Sequence, residues 1–281
     1  MAGGDGKLRR GDRFVLTRGE PGAGRDVPMK VECALAEAVD QIEVGQRVAI
    51  DEGKTVGRVV ERVPGGLLIE VTHAPENGAR IRPNKGLNFP DTALELAPLT
   101  QSDLKVLDVV AELADVIGYS FVQRPADLAW LHDELEKRTP RAGAIAIQAK
   151  IETALAVRNL PELIVEGAGR RPFAVMIARG DLAVEIGYQR LAEIQEELLW
   201  LCEAAHVPVV WATQVMDAFV RTGTPARGEL TDAAMAERAE CVMLNKGPHI
   251  LEGVTVMAEV MQRMEGHQSK KTSRLRALKS W

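Results

Sequence analysis

The chain has 281 residues, which is enough for one large domain or two smaller ones. Hydrophobic residues make up 46% and charged residues 27% of the sequence, as is typical of a soluble globular protein. The 35 basic and 40 acidic side chains give a net charge of −5, which argues against a general nucleic-acid binder. No apolar run approaches the roughly 18–20 residues needed to cross a bilayer, so we expect neither a nucleic-acid partner nor a membrane anchor.

The three cysteines, Cys33, Cys202 and Cys241, lie far apart in the sequence and are odd in number. They form no Cys-x-x-Cys pair and no disulfide framework, which is typical of a reducing compartment. The first residues, MAGGDGKLRR, carry charge with no apolar core behind it, so they do not resemble a secretory signal. We therefore expect a cytoplasmic protein.

Residues 12–86, which follow an N-terminal stub at 1–11, have the pattern of short strands joined by tight turns. Val48 and Ile50 precede an Asp-Glu-Gly turn at 51–53, and Val56 and Val59 follow it, which predicts a hairpin. Further short apolar runs occur at 14–16, at 31–35 and, after a Pro-Gly-Gly turn, at 67–71. The sequence therefore predicts a small all-β domain here.

Residues 87–265 instead alternate short apolar runs with segments of helical periodicity. The apolar runs, which resemble buried parallel strands, are 116–122, 144–151, 173–178, 207–212 and 241–244. Helical spacing is clearest at Leu104, Leu107, Ala111, Ala114; at Leu191, Ile194, Leu198, Cys202; and at Val254, Met257, Met261, Met264. The strand ends recur about every 31 residues, which is the pitch of an eight-fold βα barrel.

Only five such βα units are present, and five strands cannot close an eight-stranded barrel. Two interpretations stay open on this evidence: an open α/β sheet, or a barrel that lacks three units. The last residues, 266–281, carry several basic side chains and no acidic ones. We expect a solvated basic tail, with a docking segment for a partner as the alternative.

The strand over 144–151 places polar residues at a position typical of catalysis. Because side chains alternate along a strand, Gln148, Lys150 and Glu152 share one face while the apolar residues share the other. A cation and an anion at the carboxyl end of a parallel strand occupy the usual active-site position of a βα barrel. A structural ion pair is the alternative.

The next two strands end in further polar residues. Asp181 follows Glu152 by one βα unit, so the two carboxylates can converge on one hard cation such as Mg²⁺. Gly180 lets a substrate anion approach backbone N–H groups closely. Thr213, at the end of the following strand, can orient a water or a proton. A helix cap and a strand-end cap are the alternatives for Asp181 and Thr213.

Together these segments resemble the pyruvate kinase family, in order over most of the chain. The motifs at 149–152 (AKIE), 176–182 (MIARGDL) and 212–214 (ATQ) look like that family's three active-site strands. Further similar segments are 225–229 in the loop after the apolar run at 207–212, 85–90 where the chain re-enters the barrel, and 99–103 and 120–122 in the helix and strand that follow.

The resemblance implies a fold and a reaction. The fold is α/β: a partial TIM (β/α)8 barrel of about five βα units over 87–265, with residues 12–86 inserted as a small β-barrel lid domain that moves as a body. The reaction is phosphoryl transfer from phosphoenolpyruvate to ADP in glycolysis, which yields pyruvate and ATP. The cofactor is Mg²⁺ or Mn²⁺. Potassium is possible, although its usual ligands have no counterpart here.

The resemblance also implies roles for individual residues. Lys150 stabilises charge on the moving phosphoryl group and binds substrate, and Glu152 and Asp181 hold the metal. Backbone amides of Gly180 and Asp181 receive the substrate carboxylate. Thr213 binds substrate and sits beside the carbon that gains a proton, and Lys85 binds the nucleotide.

The chain departs from the family pattern in three respects. Barrel units one, two and most of three have no counterpart, and neither has the C-terminal regulatory domain. The loop at 245–248, after the apolar run at 241–244, reads Asn-Lys-Gly-Pro where the family usually has Ser-Gly-Glu-Thr. Two alternatives therefore stay open: a catalytically impaired fragment or partner subunit that completes a barrel, and a magnesium-dependent keto-acid aldolase or lyase. Homo-oligomerisation or association with a barrel-completing chain is expected, because strands at the edges of an open sheet recruit other strands.

Overall fold

A computed structural model gives the structure of residues 6–19 and 29–268. The chain divides into two units, Met1–Ala97 and Pro98–Trp281, which are described here separately. Of the predicted basic tail, residues 269–281 lie outside the described residues, and 266–268 continue the last helix.

The first unit is a six-stranded sheet in which the strands follow the order β2-β1-β5-β4-β3-β6. The strands are β1 (Arg13–Thr17), β2 (Lys30–Glu32), β3 (Arg47–Ile50), β4 (Thr55–Val63), β5 (Gly66–His73) and β6 (Leu87–Asn88). The hairpin predicted around 51–53 is confirmed: β3 and β4 pair antiparallel, with Ile50 opposite Thr55. Gly66 permits the next close contact, because a Cβ there would lie 2.1 Å from the Leu16 carbonyl oxygen.

The predicted strand over 31–35 is largely wrong. The chain leaves β2 after Glu32 and enters a short helix, α1 (Ala36–Gln41), with Leu35 44% exposed at its start. The reason lies in the next apolar residues, since Ala38, Val39 and Ile42 are buried at helical spacing.

The boundaries of the first unit differ from those drawn on the sequence. Residues 87–88, which were assigned to the barrel, form β6 and pair with β3. Leu8, assigned to the stub, is fully buried and bridges Ala79. Both segments contribute apolar side chains to the sheet, which explains why the unit extends beyond 12–86.

The second unit is a five-stranded parallel sheet in the order β11-β10-β9-β8-β7. The strands are β7 (Val116–Tyr119), β8 (Ala146–Ile151), β9 (Phe173–Ala178), β10 (Val209–Val215) and β11 (Cys241–Leu244). The helices are α2 (Gln101–Leu113), α3 (Pro125–Arg138), α4 (Ala154–Arg158), α5 (Leu160–Arg170), α6 (Arg179–Ile186), α7 (Tyr188–Ala204), α8 (Asp217–Thr222), α9 (Arg227–Ala236) and α10 (Ile250–Gln268). The five predicted strands are thus confirmed, in a partial TIM barrel.

The two faces of this sheet have different surroundings. Ile147, Ala149 and Ile151 of β8 are fully buried in the main core, which the helices share. Met176 and Val210 belong to a separate small cluster on the opposite face, with Met243 packed against it. An open cavity of about 690 Å³ adjoins that cluster and is bordered by β11 and α10.

The sheet order leaves β7 and β11 at its edges, so each pairs with one neighbour. Val116 of β7 is 54% exposed, and Cys241 of β11 is exposed. Within residues 6–19 and 29–268, no helix combines the length and the apolar character that a membrane span needs.

Candidate active site

Parallel pairing brings the ends of β8, β9 and β10 to one rim of the sheet. Lys150 lies opposite Met176, and Ala178 lies opposite Ala212. The residues that follow these pairs are Glu152, Gly180 and Thr213, which the sequence singled out. In an open or closed βα sheet this rim is where ligands bind.

Lys150 and Glu152 form an ion pair, with 2.8 Å between Lys150 Nζ and Glu152 Oε1. Lys150 Nζ also donates to Ser120 Oγ at 2.7 Å. Glu152 is 2% exposed, whereas the Lys150 side chain is 27% exposed. The carboxylate is therefore buried beneath an ammonium group that still reaches solvent.

A backbone amide holds the second oxygen of this carboxylate. Phe121 N–H donates to Glu152 Oε2, and Phe121 adopts a left-handed conformation with φ of 54°. This turn explains why β7 ends at Tyr119, although the apolar run in the sequence continues to residue 122. Neither Ser120 nor Phe121 was assigned a site role from sequence, because their partners lie about 30 residues away.

Burial raises the pKa of the Glu152 carboxyl above its ordinary value, and the negative charge of Asp181 raises it further. Lys150 and the Phe121 amide act in the opposite direction. The influence of Asp181 indicates that the two carboxylates share one electrostatic environment.

Asp181 and Gly180 lie in the first turn of α6, one element later than the strand-end position predicted for them. Gly180 is buried, and its N–H donates to Thr213 Oγ1 at 2.8 Å. The amide predicted to receive a substrate carboxylate and the hydroxyl predicted to handle a proton are thus hydrogen-bonded to each other.

The backbone of β10 turns sharply at Thr213. Thr213 and Gln214 have φ of 67° and 57°, and the pairing register with β11 shifts between Trp211 and Val215. A left-handed conformation is rare for a β-branched residue and stores strain. Such outliers cluster at functional sites, and this one directs the Thr213 hydroxyl toward α6.

Arg179 braces this turn and was missed as a site residue. Its guanidinium donates to the Ala212 carbonyl at 3.0 Å and to the Thr213 carbonyl at 2.7 Å. It also pairs with Asp232 of α9 and lies 4.6 Å from the centroid of the Trp211 ring. The sequence feature that could have identified Arg179 as a site residue is its position directly after a buried strand.

Lys85, predicted to bind nucleotide, belongs to the first unit. Its Nζ lies 2.9 Å from Asp51 Oδ1, and Lys54 contacts the other oxygen of the same carboxylate at 3.1 Å. Asp51 therefore holds two cations at the β3–β4 turn. Burial opposes ionisation of this carboxyl, but Lys85 and Lys54 outweigh it and lower the pKa.

The oxygen donors at the rim suit a divalent cation that a bound substrate also coordinates. Within the part of the chain that the structure describes, no group of three or more His, Cys, Asp or Glu side chains is arranged to hold a metal. Glu152 and Asp181 supply two carboxylates, and Mg²⁺ is usually held by one or two carboxylates with substrate oxygens and waters. The residues present therefore fit a metal that substrate helps to bind.

Comparison with known proteins assigns the family. A family model described as the barrel domain of pyruvate kinase matches residues 1–248. Among similar curated proteins, a pyruvate kinase of Agrobacterium vitis is 33% identical over 91% of this chain and 50% of its own length. One from Clostridium acetobutylicum is 30% identical over 92% of this chain and 54% of its own, and one from Rattus norvegicus is 33% identical over 80% and 38%. The chain spans about half the length of the curated relatives it matches, and it belongs to the pyruvate kinase family.

Proposed function

We propose that this chain carries the phosphoryl-transfer chemistry of pyruvate kinase, in which phosphoenolpyruvate and ADP give pyruvate and ATP. The observation that carries the proposal is the convergence of Lys150, Glu152, Gly180 and Thr213 on one rim of a parallel sheet. Phosphoryl transfer depends on positioning and charge neutralisation more than on covalent chemistry, and this rim supplies both. The family match does not favour the keto-acid aldolase alternative.

Lys150 is the residue proposed to stabilise the moving phosphoryl group. Its ammonium is anchored by Glu152 and Ser120, yet its side chain remains 27% exposed. An anchored cation needs no reorganisation when negative charge passes beside it, so its stabilisation is greatest in the transition state.

Glu152 and Asp181 are proposed to hold Mg²⁺ or Mn²⁺. When bound, the metal would neutralise the negative charge of the phosphoryl group and the enolate oxygen. Both Glu152 oxygens already accept hydrogen bonds, but each carboxylate oxygen has a second lone pair. The proposal of Mg²⁺ or Mn²⁺ as the metal follows from the family resemblance.

Gly180 and Thr213 are proposed to bind the substrate carboxylate and to deliver a proton. The first-turn amides of α6 form the anion site, because no intrahelical carbonyl accepts from them. When a carboxylate accepts from Gly180 N–H, the Thr213 hydroxyl is released from that bond. The freed hydroxyl can then pass a proton from solvent to the methylene carbon of enolpyruvate.

Separate roles are proposed for the two units. The first unit, which extends beyond 12–86 to include β6, is proposed as a mobile lid, and the second unit as the catalytic part. Lys85, on the first unit, is proposed to bind the nucleotide. Three free cysteines and a glycolytic reaction support a cytoplasmic location.

The edges of the five-stranded sheet support association with another chain. We infer that β7 and β11 pair with a second copy or with a chain that completes the barrel, since exposed parallel edges template further strands. Light scattering gives the mass, and alkylation of Cys241 reports whether the β11 edge is covered. A monomer with fully reactive Cys241 would contradict this inference.

The function is tested by ADP-dependent formation of pyruvate from phosphoenolpyruvate in the presence of Mg²⁺. Lys150→Met should abolish the reaction, because the anchored cation is lost while a side chain of similar length remains. Lys105→Met is the matched control, since Lys105 is exposed on α2. The proposal fails if the wild type is inactive alone and with a barrel-completing chain, or if the two variants are equally active.

A further inference from the structure

A bonded cluster of Arg179, Asp232 and Trp211 lies directly behind the turn that presents Thr213. Arg179 and Asp232 make a two-pronged pair, with 2.8 Å between Arg179 Nη2 and Asp232 Oδ2 and a second contact from Nη1 to Oδ1. The Arg179 side chain is 12% exposed and that of Asp232 25%. Trp211, beneath the guanidinium, is fully buried.

The guanidinium joins this cluster to a backbone that has left the sheet. Because the β10–β11 register breaks between Trp211 and Val215, the carbonyls in that stretch need donors outside the ladder. Arg179 donates to the carbonyls of Ala212 and Thr213 from Nε and Nη2. Its remaining fork is fixed by Asp232, so the planar group has one orientation.

We infer that Asp232 is a positioning residue: through Arg179 it holds Thr213 in its left-handed conformation and so keeps the Thr213 hydroxyl at the first turn of α6, where it accepts from Gly180 N–H until substrate binds. The inference rests on the proposed function only for the role of Thr213 in the reaction. Asp232 lies on α9, Arg179 on α6 and Thr213 on β10, so the cluster sets the relative position of three elements. Without the carboxylate, the guanidinium is free to tilt and the strained turn can relax.

Hydrogen exchange of the Gly180 amide, measured by NMR, reports the position of the hydroxyl directly. This amide lies in the first turn of α6, where no intrahelical carbonyl protects it, and it bonds to Thr213 Oγ1. Loss of that bond should speed exchange about tenfold. Thr213→Val, which replaces the hydroxyl with a methyl group, defines the exchange rate of this amide without the hydrogen bond.

Asp232→Asn is the test variant, because it keeps the size of the side chain and removes its charge. We expect Gly180 exchange to approach that of Thr213→Val, while exchange of the buried β8 amides stays unchanged. Asp232→Glu keeps the charge and should restore part of the protection. Arg179→Lys, which keeps a cation but loses the planar fork, should behave like Asp232→Asn.

Glu196→Gln is the matched control. Glu196 pairs with Arg238, and their side chains are 20% and 19% exposed, close to the values at Asp232 and Arg179. It breaks a similar ion pair away from the turn, so it should lower stability without changing Gly180 exchange. Equal effects of Glu196→Gln and Asp232→Asn on Gly180 would make Asp232 a structural residue only.

Kinetics separate this inference from the proposed function. In an active assembly, Asp232→Asn should lower kcat for pyruvate formation about 10- to 100-fold and leave KM for ADP unchanged, since a misplaced group costs rate. Unchanged kcat and unchanged Gly180 exchange would overturn the positioning role and leave the proposed function intact. Altered exchange in a chain that no assembly makes active would overturn the proposed function but support the positioning role.

Discussion

The ends of β8 and β10 bring polar groups to the same rim by different physical means. At β8 the backbone stays regular, and the polar residues are held by a buried ion pair between Lys150 and Glu152. At β10 the backbone is strained at Thr213 and Gln214, and a guanidinium from α6 satisfies the carbonyls that leave the sheet.

This difference separates two sources of stability. The β8 arrangement depends on charges two residues apart, so removing the Lys150 charge leaves the Glu152 carboxylate buried and unpaired, at a large desolvation cost. The β10 arrangement depends on contacts among three elements, so its strain is offset by tertiary bonds and not by neighbours in the chain. Substitutions at the two strand ends should therefore change the free energy of unfolding by different amounts and in opposite directions.

The largest expected effect is at β8. Lys150→Met should lower the free energy of unfolding by about 3 kcal/mol, because it leaves the Glu152 carboxylate buried without its cation. Denaturant unfolding of the isolated chain measures this. Lys105→Met on the exposed surface of α2 is the control and should change stability by less than about 0.5 kcal/mol.

The double variant Lys150→Met/Glu152→Gln sharpens the same prediction. With no buried charge left unpaired, it should regain much of the stability that Lys150→Met loses. If the double variant is less stable than Lys150→Met, the buried charge is not the cause, and packing of the lysine stem would explain the loss instead.

A second buried titratable group, His132, provides a reference for the paired Glu152 carboxylate. His132 on α3 is fully buried, and within the described residues neither of its ring nitrogens has a hydrogen-bond partner. Burial, together with Arg171 and Arg170, lowers the pKa of His132 to about 4, while Asp133 acts in the opposite direction. The unfolded chain, with a histidine pKa near 6.5, therefore takes up the proton first as pH falls.

His132 should consequently make the protein less stable in acid. The stability contributed by neutral His132 is fully present above pH 6.5 and is lost as the pH falls toward 4. The free energy of unfolding should therefore decrease by about 2 kcal/mol between pH 7 and pH 5. His132→Leu should remove this dependence, as measured by denaturant unfolding at several pH values. His73→Leu, at an exposed position on β5, is the control for replacing a histidine with leucine.

Metal affinity tests whether the carboxylates of Glu152 after β8 and Asp181 in α6 do more than stabilise the fold. Asp181→Asn keeps the shape of the side chain and removes one negative charge, so affinity for Mn²⁺ should fall at least about tenfold. Titration calorimetry with Mn²⁺ and phosphoenolpyruvate measures it, with Asp133→Asn on the exposed surface of α3 as control. Equal affinity in wild type and Asp181→Asn would make the carboxylate pair structural.

The sequence predicted the β8 end better than the β10 end for a physical reason. The two-residue period of a strand puts Lys150 and Glu152 on one face, and the structure joins them. The five parallel strands were likewise visible as apolar runs at a regular pitch. The catalytic role of Lys150 and the metal-binding role of Glu152 stay predictions, since both depend on bound ligands.

What the sequence did not reveal depends on contacts between distant residues. Arg179 and Asp232 are 53 positions apart, and nothing local to either marks the other as its partner. The left-handed turns at Phe121 and Thr213 also depend on tertiary bonds. They could not be predicted, because the identity of a non-glycine residue does not indicate a positive φ. Helix α1 was missed because its six residues give less than two turns of periodicity.

The smallest expected effect is at β10, and its sign distinguishes a strained turn from an ordinary one. Gln214 is exposed with φ of 57°, a conformation that glycine adopts without steric cost. Gln214→Gly should therefore raise the free energy of unfolding by about 0.5 kcal/mol, since relief of roughly 1–2 kcal/mol of left-handed strain exceeds the entropy that glycine adds to the unfolded chain together with the exposed side-chain interaction that Gln214 loses. Gln262→Gly makes the same exchange at an exposed position of α10, where it should cost about 0.5–1 kcal/mol. If both variants lose stability equally, the turn at β10 stores no strain, and the contrast between the two strand ends disappears.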